Sequence, residues 1–575
     1  MTDITESAGG EQKIRDSRAQ GRDVLWHYAL VVVAAFLVYA GSLKNDFVYD
    51  DLVDIREVDN VFAPGAWIDL FQTASARLYR PVKYFSYRVD NAIWGWSPMG
   101  WHLASNLYHC LVCALLLSFL RRLGLSPPAA LAGALWFAVH PIHTESVVWI
   151  SSRASLLSTS AVLGICVAYH DWRTSPSKKS LVVMAAWAFF GFFSKEDALM
   201  VFPILGAMEL FLLSGGGFVF LKRASFWKPV LVVAPIGVVY IGLRQSILSG
   251  LAQGVWEHGF TGLLATLPVI LARYLGQLVF PISMTVEQPL DYEAGFGVVF
   301  VLSLVLVAAM AAVLLVSKPE VRRWKFPVAW FFVTLAPVMG FIPINQPIAD
   351  RFLYMPSVAA ALALGWGWDA AKLLGAKVYQ RFTIGVGVLL AAYVVGSVSY
   401  TLAWRNERTL WEHAVKKNPD SRRGWLNLGV MKNNSREYEE ALPLIEKVLD
   451  IRPGDLEARV AKAYALDGLG RHREAAAIYR EALAAYPENT IWMNLLAHTL
   501  QQAGDFAEAE AVYERIFELR PNYASARFSA GLMAARQGKL DRAIEHWEVA
   551  ARLDPDNETV RRNLELARRK KAEGQ

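Results

Sequence analysis

Two patterns of apolar positions divide this chain. Up to about residue 402 they come as blocks of 16 to 21 residues separated by polar tracts, each at or near the ~20 residues a helix needs to cross a bilayer. The blocks predict spans at about 24–43, 102–120, 129–147, 154–170, 181–197, 198–213, 229–247, 296–316, 327–344, 353–370 and 382–402, eleven in all. A further apolar stretch, 263–280, carries Arg273 in its middle and ends in "FPISMTVEQPLD". Counted as a span it would put the basic tract Lys318 to Lys325 outside, against the charge rule, so it is taken as re-entrant or interfacial. From Trp404 onward the blocks stop and a periodic, amphipathic pattern begins.

That second pattern has a fixed period. Pro419, Pro453, Pro487, Pro521 and Pro555 stand 34 residues apart, and Ala441, Ala475, Ala509 and Ala543 keep the same spacing. This is the period of the tetratricopeptide repeat, with small residues where paired helices touch and proline closing each unit. Trp425, Leu428, Gly429, Ala441 and Pro453 fill the pattern in the first full unit, and Tyr479 and Tyr513 take the aromatic position of the next two. Four full repeats follow a half-repeat containing Trp411, Ala414 and Pro419. Such a superhelix offers a concave face to an extended peptide or a partner protein, or serves as a spacer.

Composition agrees with a membrane chain: 54% of the residues are hydrophobic, 19% are charged and mean hydropathy is positive. The net charge of +6 does not point to nucleic acid, because the basic residues flank the apolar blocks and so report topology. Cys110 and Cys113 lie inside an apolar block, which supports neither a disulfide framework nor a zinc site. Residues 1–23 read as a cytoplasmic tail, 24–403 as the transmembrane domain with a first outer loop at 44–100, and 404–575 as the repeats. With 263–280 non-spanning, the remaining basic tracts fall inside and the repeats fall outside. For a bacterial inner membrane that is the periplasm; for an endoplasmic reticulum membrane it is the lumen.

The outer junctions then collect the unusual polar residues. "NDFVYDDLVDI" puts Asp50 and Asp51 near the membrane surface, and "RLYRPVKYFSYR" follows with Arg77, Arg80, Lys83 and Arg88. "HPIHTESVVWISSR" carries His140, His143, Glu145 and Arg153; "FSKEDAL" carries Lys195, Glu196 and Asp197; "NQPIADRFLY" carries Asp350, Arg351 and Tyr354. Polar groups at membrane depth are costly unless they face protein or a water-filled cavity, so their recurrence on one side predicts a shared outer cavity. Each has a plainer reading: solvated loop acids, a lysine snorkelling at a span end, a local Asp350–Arg351 pair. His140 and His143 are spaced like metal ligands, but Pro141 biases His140 out of the helix and no third ligand follows at a familiar spacing. Together Arg80, Arg153, Lys195 and Arg351 supply the cations a phosphate at the membrane surface needs. No Rossmann glycine fingerprint or P-loop is present to hold a nucleotide.

The order "FVYDD", "YRPVKYFSY", "FAVHPIHTESVVWISSR", "FSKED", "ADRFLYMP" and tetratricopeptide repeats resembles the transmembrane and tetratricopeptide-repeat-containing O-mannosyltransferases and their bacterial relatives, members of the integral-membrane C-type glycosyltransferases. The resemblance implies an all-α polytopic domain that transfers a sugar, mannose or another, from a polyprenyl-phosphate donor to a protein hydroxyl on the extracytoplasmic face, with inversion. It implies catalytic roles for Asp50, Asp51 and Glu145, phosphate contacts at Arg80, Arg153, Lys195 and Arg351, and a pocket formed by His140, His143, Glu196, Asp350 and Tyr354. The Asp-Asp pair stands where another branch of protein O-mannosyltransferases has Asp-Glu, which leaves the division of labour between Asp50 and Asp51 open. No cofactor follows, although the two aspartates could hold a divalent ion. The expected partners are the lipid-linked donor, a protein or peptide acceptor on the repeats, and membrane lipid. Two other classes stay open: a non-enzymatic membrane scaffold or envelope-assembly factor, and a lipid-linked sugar transferase acting on a glycan or a lipid.

Overall fold

The computed structural model describes residues 24–56, 69–71, 78–248, 259–288, 297–339, 346 and 348–574. Arg77 and much of the first outer loop lie outside them. The chain divides into two compact units, Met1–His413 and Ala414–Gln575. Among the described residues both are helical, without β-strands.

Among the described residues of the first unit six helices are long and apolar enough to cross a membrane: Val24–Lys44, Pro98–Arg122, Ile150–Thr174, Ala224–Leu248, Val298–Leu315 and Ala376–Ala403. The other five expected spans are shorter helices: Pro127–Val139, Lys178–Phe192, Val201–Met208 with a π-helical turn to Leu213, Lys325–Leu335 and Val358–Leu373. Gly259–Gln277 is helical around Pro268 and is not one of the six. Small residues bring neighbouring helices together where water-driven packing is unavailable. A Cβ on Gly133 would lie 2.6 Å from the Ala361 carbonyl oxygen, and one on Gly191 would lie 2.5 Å from the Ala161 Cβ.

The expected span at 129–147 is not one helix. It ends at Val139, and the chain continues as short turns, Pro141–His143, Thr144–Val148 and Ile150–Arg153, before the next long helix. Proline at 141 cannot donate to a helical ladder and disfavours helix at His140. Within this segment His140, His143, Thr144, Glu145 and Arg153 are all fully buried in protein. Irregular backbone is tolerated at such depth only when protein satisfies it. Here the Ser397 hydroxyl donates to the Val139 carbonyl at 2.7 Å and the Tyr39 hydroxyl to the His140 carbonyl at 2.8 Å.

The second unit has four helix pairs, from Arg422–Asn434 and Tyr438–Ile451 through Ala524–Arg536 and Leu540–Leu553, and a closing helix Glu558–Ala572. Ala441, Ala475, Ala509 and Ala543 are fully buried between paired helices. Two residues after four of the five periodic prolines stands a side chain that caps the next helix. Ser421 accepts from the Gly424 N–H at 3.0 Å, Asp455 from Ala458 at 2.9 Å, Asn489 from Ile491 at 3.1 Å and Asn557 from Val560 at 3.2 Å.

Candidate active site

The chain after the first long helix turns sharply before its acidic run. Tyr49 has φ of 59°, a left-handed conformation that costs an L-residue about 1–2 kcal/mol. Helix Asp51–Arg56 begins two residues later and sends its acids to different places. Asp50 is exposed, whereas Asp51 and Asp54, one turn apart on one face, are buried.

Asp51 ties the loop to the broken segment. Its Oδ1 accepts from the Ser151 N–H and hydroxyl, both at 2.8 Å, and its Oδ2 from the Val48 N–H at 3.2 Å. Burial pushes its carboxyl up to about 7, against the pull of these donors. Asp51 thus accepts three hydrogen bonds from N–H and O–H donors. Asp54 accepts from the Lys83 ammonium at 2.5 Å and from the Tyr84 and Tyr87 hydroxyls, each at 3.2 Å.

Those partners lie on helix Pro81–Trp94, which has proline in its first turn and a polar stripe at Lys83, Tyr87 and Asp90 turned inward. Asp90 is 2.5 Å from Arg153, whose guanidinium also donates to Ser86 and Ser105 at 3.2 Å and to the Trp101 carbonyl at 2.8 Å. The Tyr87 ring lies 5.1 Å from the same guanidinium. Arg153 is therefore enclosed, with no outward edge for a phosphate.

The other three expected cations are paired but remain partly exposed. Arg80 binds Glu196 through two nitrogens at 2.8 and 3.3 Å, and the next residues dock through the Val82 N–H on the Phe193 carbonyl at 2.9 Å. Lys195 reaches Asp197 at 2.7 Å and Ser155 at 3.1 Å. Arg351 meets buried Glu145 through its guanidinium and, at 2.9 Å, through its backbone N–H. Side-chain exposure is 13% for Arg80, 12% for Lys195 and 18% for Arg351, against 0% for Arg153. Trp149 links this last pair to the acidic loop, with its ring 5.1 Å from the Arg351 guanidinium and 5.1 Å from the Tyr49 ring.

Asp350 is buried beside Glu145 and accepts from Gln277 at 3.2 Å, Gln288 at 2.8 Å and Tyr400 at 3.5 Å. Desolvation, with the Glu145 charge added, holds its carboxyl well above the usual range. His140, His143 and Tyr354 do not line an open pocket. His140 donates from Nε2 to the Leu278 carbonyl at 3.2 Å while its Nδ1 accepts from the Ile142 N–H at 3.1 Å. His143 joins the Phe137 carbonyl and the Ser357 hydroxyl, each at 2.8 Å, and Tyr354 meets His109 at 2.7 Å. All three hold the helix break together.

Sequence reasoning gave no site role to Asp54, Lys83, Tyr84, Tyr87, Asp90, Gln277 or Gln288. The i, i+4, i+7 spacing of Lys83, Tyr87 and Asp90 after a proline is the signal that could have marked the stripe. Among the described residues, one set of carboxylate and imidazole groups converges closely enough for a metal: Glu510, Glu514 and His546 in the repeats. Arg527 donates to His546 Nδ1 at 2.8 Å, which leaves the proton on Nε2, and Arg542 lies 2.6 Å from Glu510. The arrangement is an ion-pair network, not a ligand set.

Comparison with known proteins agrees with both units. The tetratricopeptide repeat model matches residues 408–455 and 494–558, and that of the anaphase-promoting complex, cyclosome, subunit 3, matches 434–516. Protein O-mannosyl-transferase TMTC3 of Mus musculus is 22% identical over 93% of this chain and 65% of its own length. Tmtc3 of Drosophila melanogaster is 23% identical over 88% and 65%. The chain resembles the protein O-mannosyl-transferases over most of its length. It spans just under two thirds of these relatives. A solved structure, "MamA MSR-1 C2", aligns with 26% of this chain and 87% of its own at 21% identity and a TM-score of 0.24, too low to carry an argument.

Proposed function

We propose that this chain is a membrane glycosyltransferase that moves a sugar, mannose by the name its relatives carry, from a polyprenyl-phosphate donor to a protein hydroxyl on the extracytoplasmic face. The observation that carries this reading is the difference in burial within one short acidic run. Asp51 and Asp54 are buried, while Asp50 is exposed and follows directly on the left-handed Tyr49.

Asp50 acts as the base. Its carboxylate takes the proton of the acceptor hydroxyl as that oxygen attacks the anomeric carbon from the face opposite the phosphate. The bond from that carbon to the phosphate oxygen breaks, and the polyprenyl phosphate leaves with the electron pair, giving inversion. Arg80, Lys195 and Arg351 offer exposed edges to the charge growing on the departing phosphate. Arg153 with Asp90, and Lys83 with Asp54, fix the helix beneath the loop, so Arg153 is a support and not a phosphate contact. Glu145 and Asp350 orient Arg351 and the 277–288 segment. Lys377 and Arg381 lie at the start of the last long helix, so the charge rule sends the chain out on the outer side with its repeats, which receive the acceptor.

The test is reconstitution of the full chain in vesicles with radiolabelled polyprenyl-phosphate mannose and envelope or secretory proteins. Label on Ser or Thr of protein is expected. Label only on glycan or lipid, or none at all while partner binding by the repeats persists, overturns the proposal.

A further inference from the structure

We propose that Glu407, at the start of the first helix beyond the last long span, is a positioning residue for Asp50. The inference rests on Asp50 being the base, and it begins one residue earlier. Tyr49 adopts φ of 59°, and only Arg436 shares a positive φ among the described non-glycine residues. Tyrosine lacks the short polar side chain that lets Asn or Asp stabilise that conformation locally, so the hold must come from elsewhere.

It comes from the far end of the unit. The Tyr49 N–H donates to Glu407 Oε1, 358 residues away in sequence, and Glu407 Oε2 accepts from the Trp411 indole N–H at 2.6 Å. The Tyr49 ring stands edge-on to Trp411 with centroids 5.4 Å apart and packs on Trp149 at 5.1 Å. Just upstream, the Asp46 N–H donates to the Arg405 carbonyl at 2.9 Å. One carboxylate thus fixes the amide entering the strained residue and, through Trp411, the ring that flanks it.

The peptide that follows Tyr49 belongs to Asp50. If Glu407 is lost, the Tyr49 N–H loses its acceptor, the turn relaxes toward negative φ, and the Asp50 carboxylate swings away from the acceptor. A displacement of about 1 Å at a reacting group is enough to cost on the order of a hundredfold in rate. Arg80, Lys195 and Arg351 keep their own carboxylate partners, so donor affinity changes little. Glutamine at 407 serves imperfectly, because its amide nitrogen faces the indole donor of Trp411. Removing that donor with Trp411→Phe relieves the conflict.

The test uses the full chain in vesicles with polyprenyl-phosphate mannose and a protein acceptor, with Asp50→Asn alongside. Glu407→Ala is expected to lower kcat roughly 10- to 100-fold with donor KM within about twofold. Glycine accepts φ of 59° without cost, so in a Tyr49→Gly background the same change lowers kcat by less than about threefold. Glu407→Gln/Trp411→Phe is more active than Glu407→Gln alone. Hydrogen exchange of the 46–52 peptide, which needs no activity, rises about tenfold or more in Glu407→Ala. Unchanged exchange in Glu407→Ala, or an equal loss of kcat in both backgrounds, overturns the positioning role. Full activity of Asp50→Asn removes the base reading instead, and the exchange result still decides whether Glu407 holds the turn.

Discussion

Lys83→Met is the perturbation that most sharply probes the packing under the acidic loop. Lys83 Nζ lies 2.5 Å from Asp54 Oδ2, with side-chain exposures of 2% and 8%. At 4 Å and an effective dielectric near 20, two unit charges attract by about 4 kcal/mol, and breaking one side of a buried pair costs about 3–5 kcal/mol. The Tyr84 and Tyr87 hydroxyls remain on Asp54 in the variant, each a hydrogen bond to a charged acceptor. They place the loss near the lower end, about 3 kcal/mol, or roughly a hundredfold in the folded-to-unfolded ratio. Adding Asp54→Asn removes the stranded charge and returns a large part of that loss. Unfolding of the full chain in mixed detergent–denaturant micelles reads both variants, with Arg515→Ala at an exposed repeat pair as the control. If Lys83→Met were as silent as the control, or if the double variant were no better than the single, the pair would not support the loop.

Two further outcomes follow. Burial raises Asp51 from the ordinary 3.8 to about 7, so the folded state holds this proton more tightly than the unfolded chain does. Stability contributed by the protonated form is complete below pH 4 and fades as pH rises to 7, by up to ~1.4 kcal/mol per pH unit, and Asp51→Asn flattens that slope in denaturant titrations across the window. Cys110, Cys113 and Cys166 are buried, so a cysteine placed at exposed Glu481 is a single reporter of the repeats. It reacts with a membrane-impermeant maleimide in right-side-out vesicles; labelling only after permeabilisation would move the repeats to the cytoplasm and remove the acceptor argument.

What the sequence made legible were features carried by local chemistry. The 34-residue spacing of prolines and alanines announced the helix pairs, because those residues mark where helices end and where they touch. Pro141 announced that His140 leaves the helix, since proline acts on its own neighbourhood, although hydropathy still drew the block 129–147 as one span. Tertiary placement was not legible. Hydropathy reads His140, Glu145 and Arg153 as polar and assigns them to a shared cavity, but it cannot see the elements that enclose them. Lys83 stands in the sequence only as one of several basic residues after the acidic run, and helix Pro81–Trp94 turns it onto Asp54. Glu407 and Tyr49 share no local pattern at a separation of 358 residues. The closing helix Glu558–Ala572 was missed because no later proline completes its period.

The central claim is that Asp50, the outward member of three acids, takes the acceptor proton. Initial rates of mannose transfer from polyprenyl-phosphate mannose to protein, measured for wild type and Asp50→Asn at equal reconstituted amounts, test it most directly. Asp50→Asn is expected to lose about 10²- to 10⁴-fold in rate with donor binding retained. A wild-type rate in Asp50→Asn, with the loss appearing in Asp51→Asn instead, would contradict it.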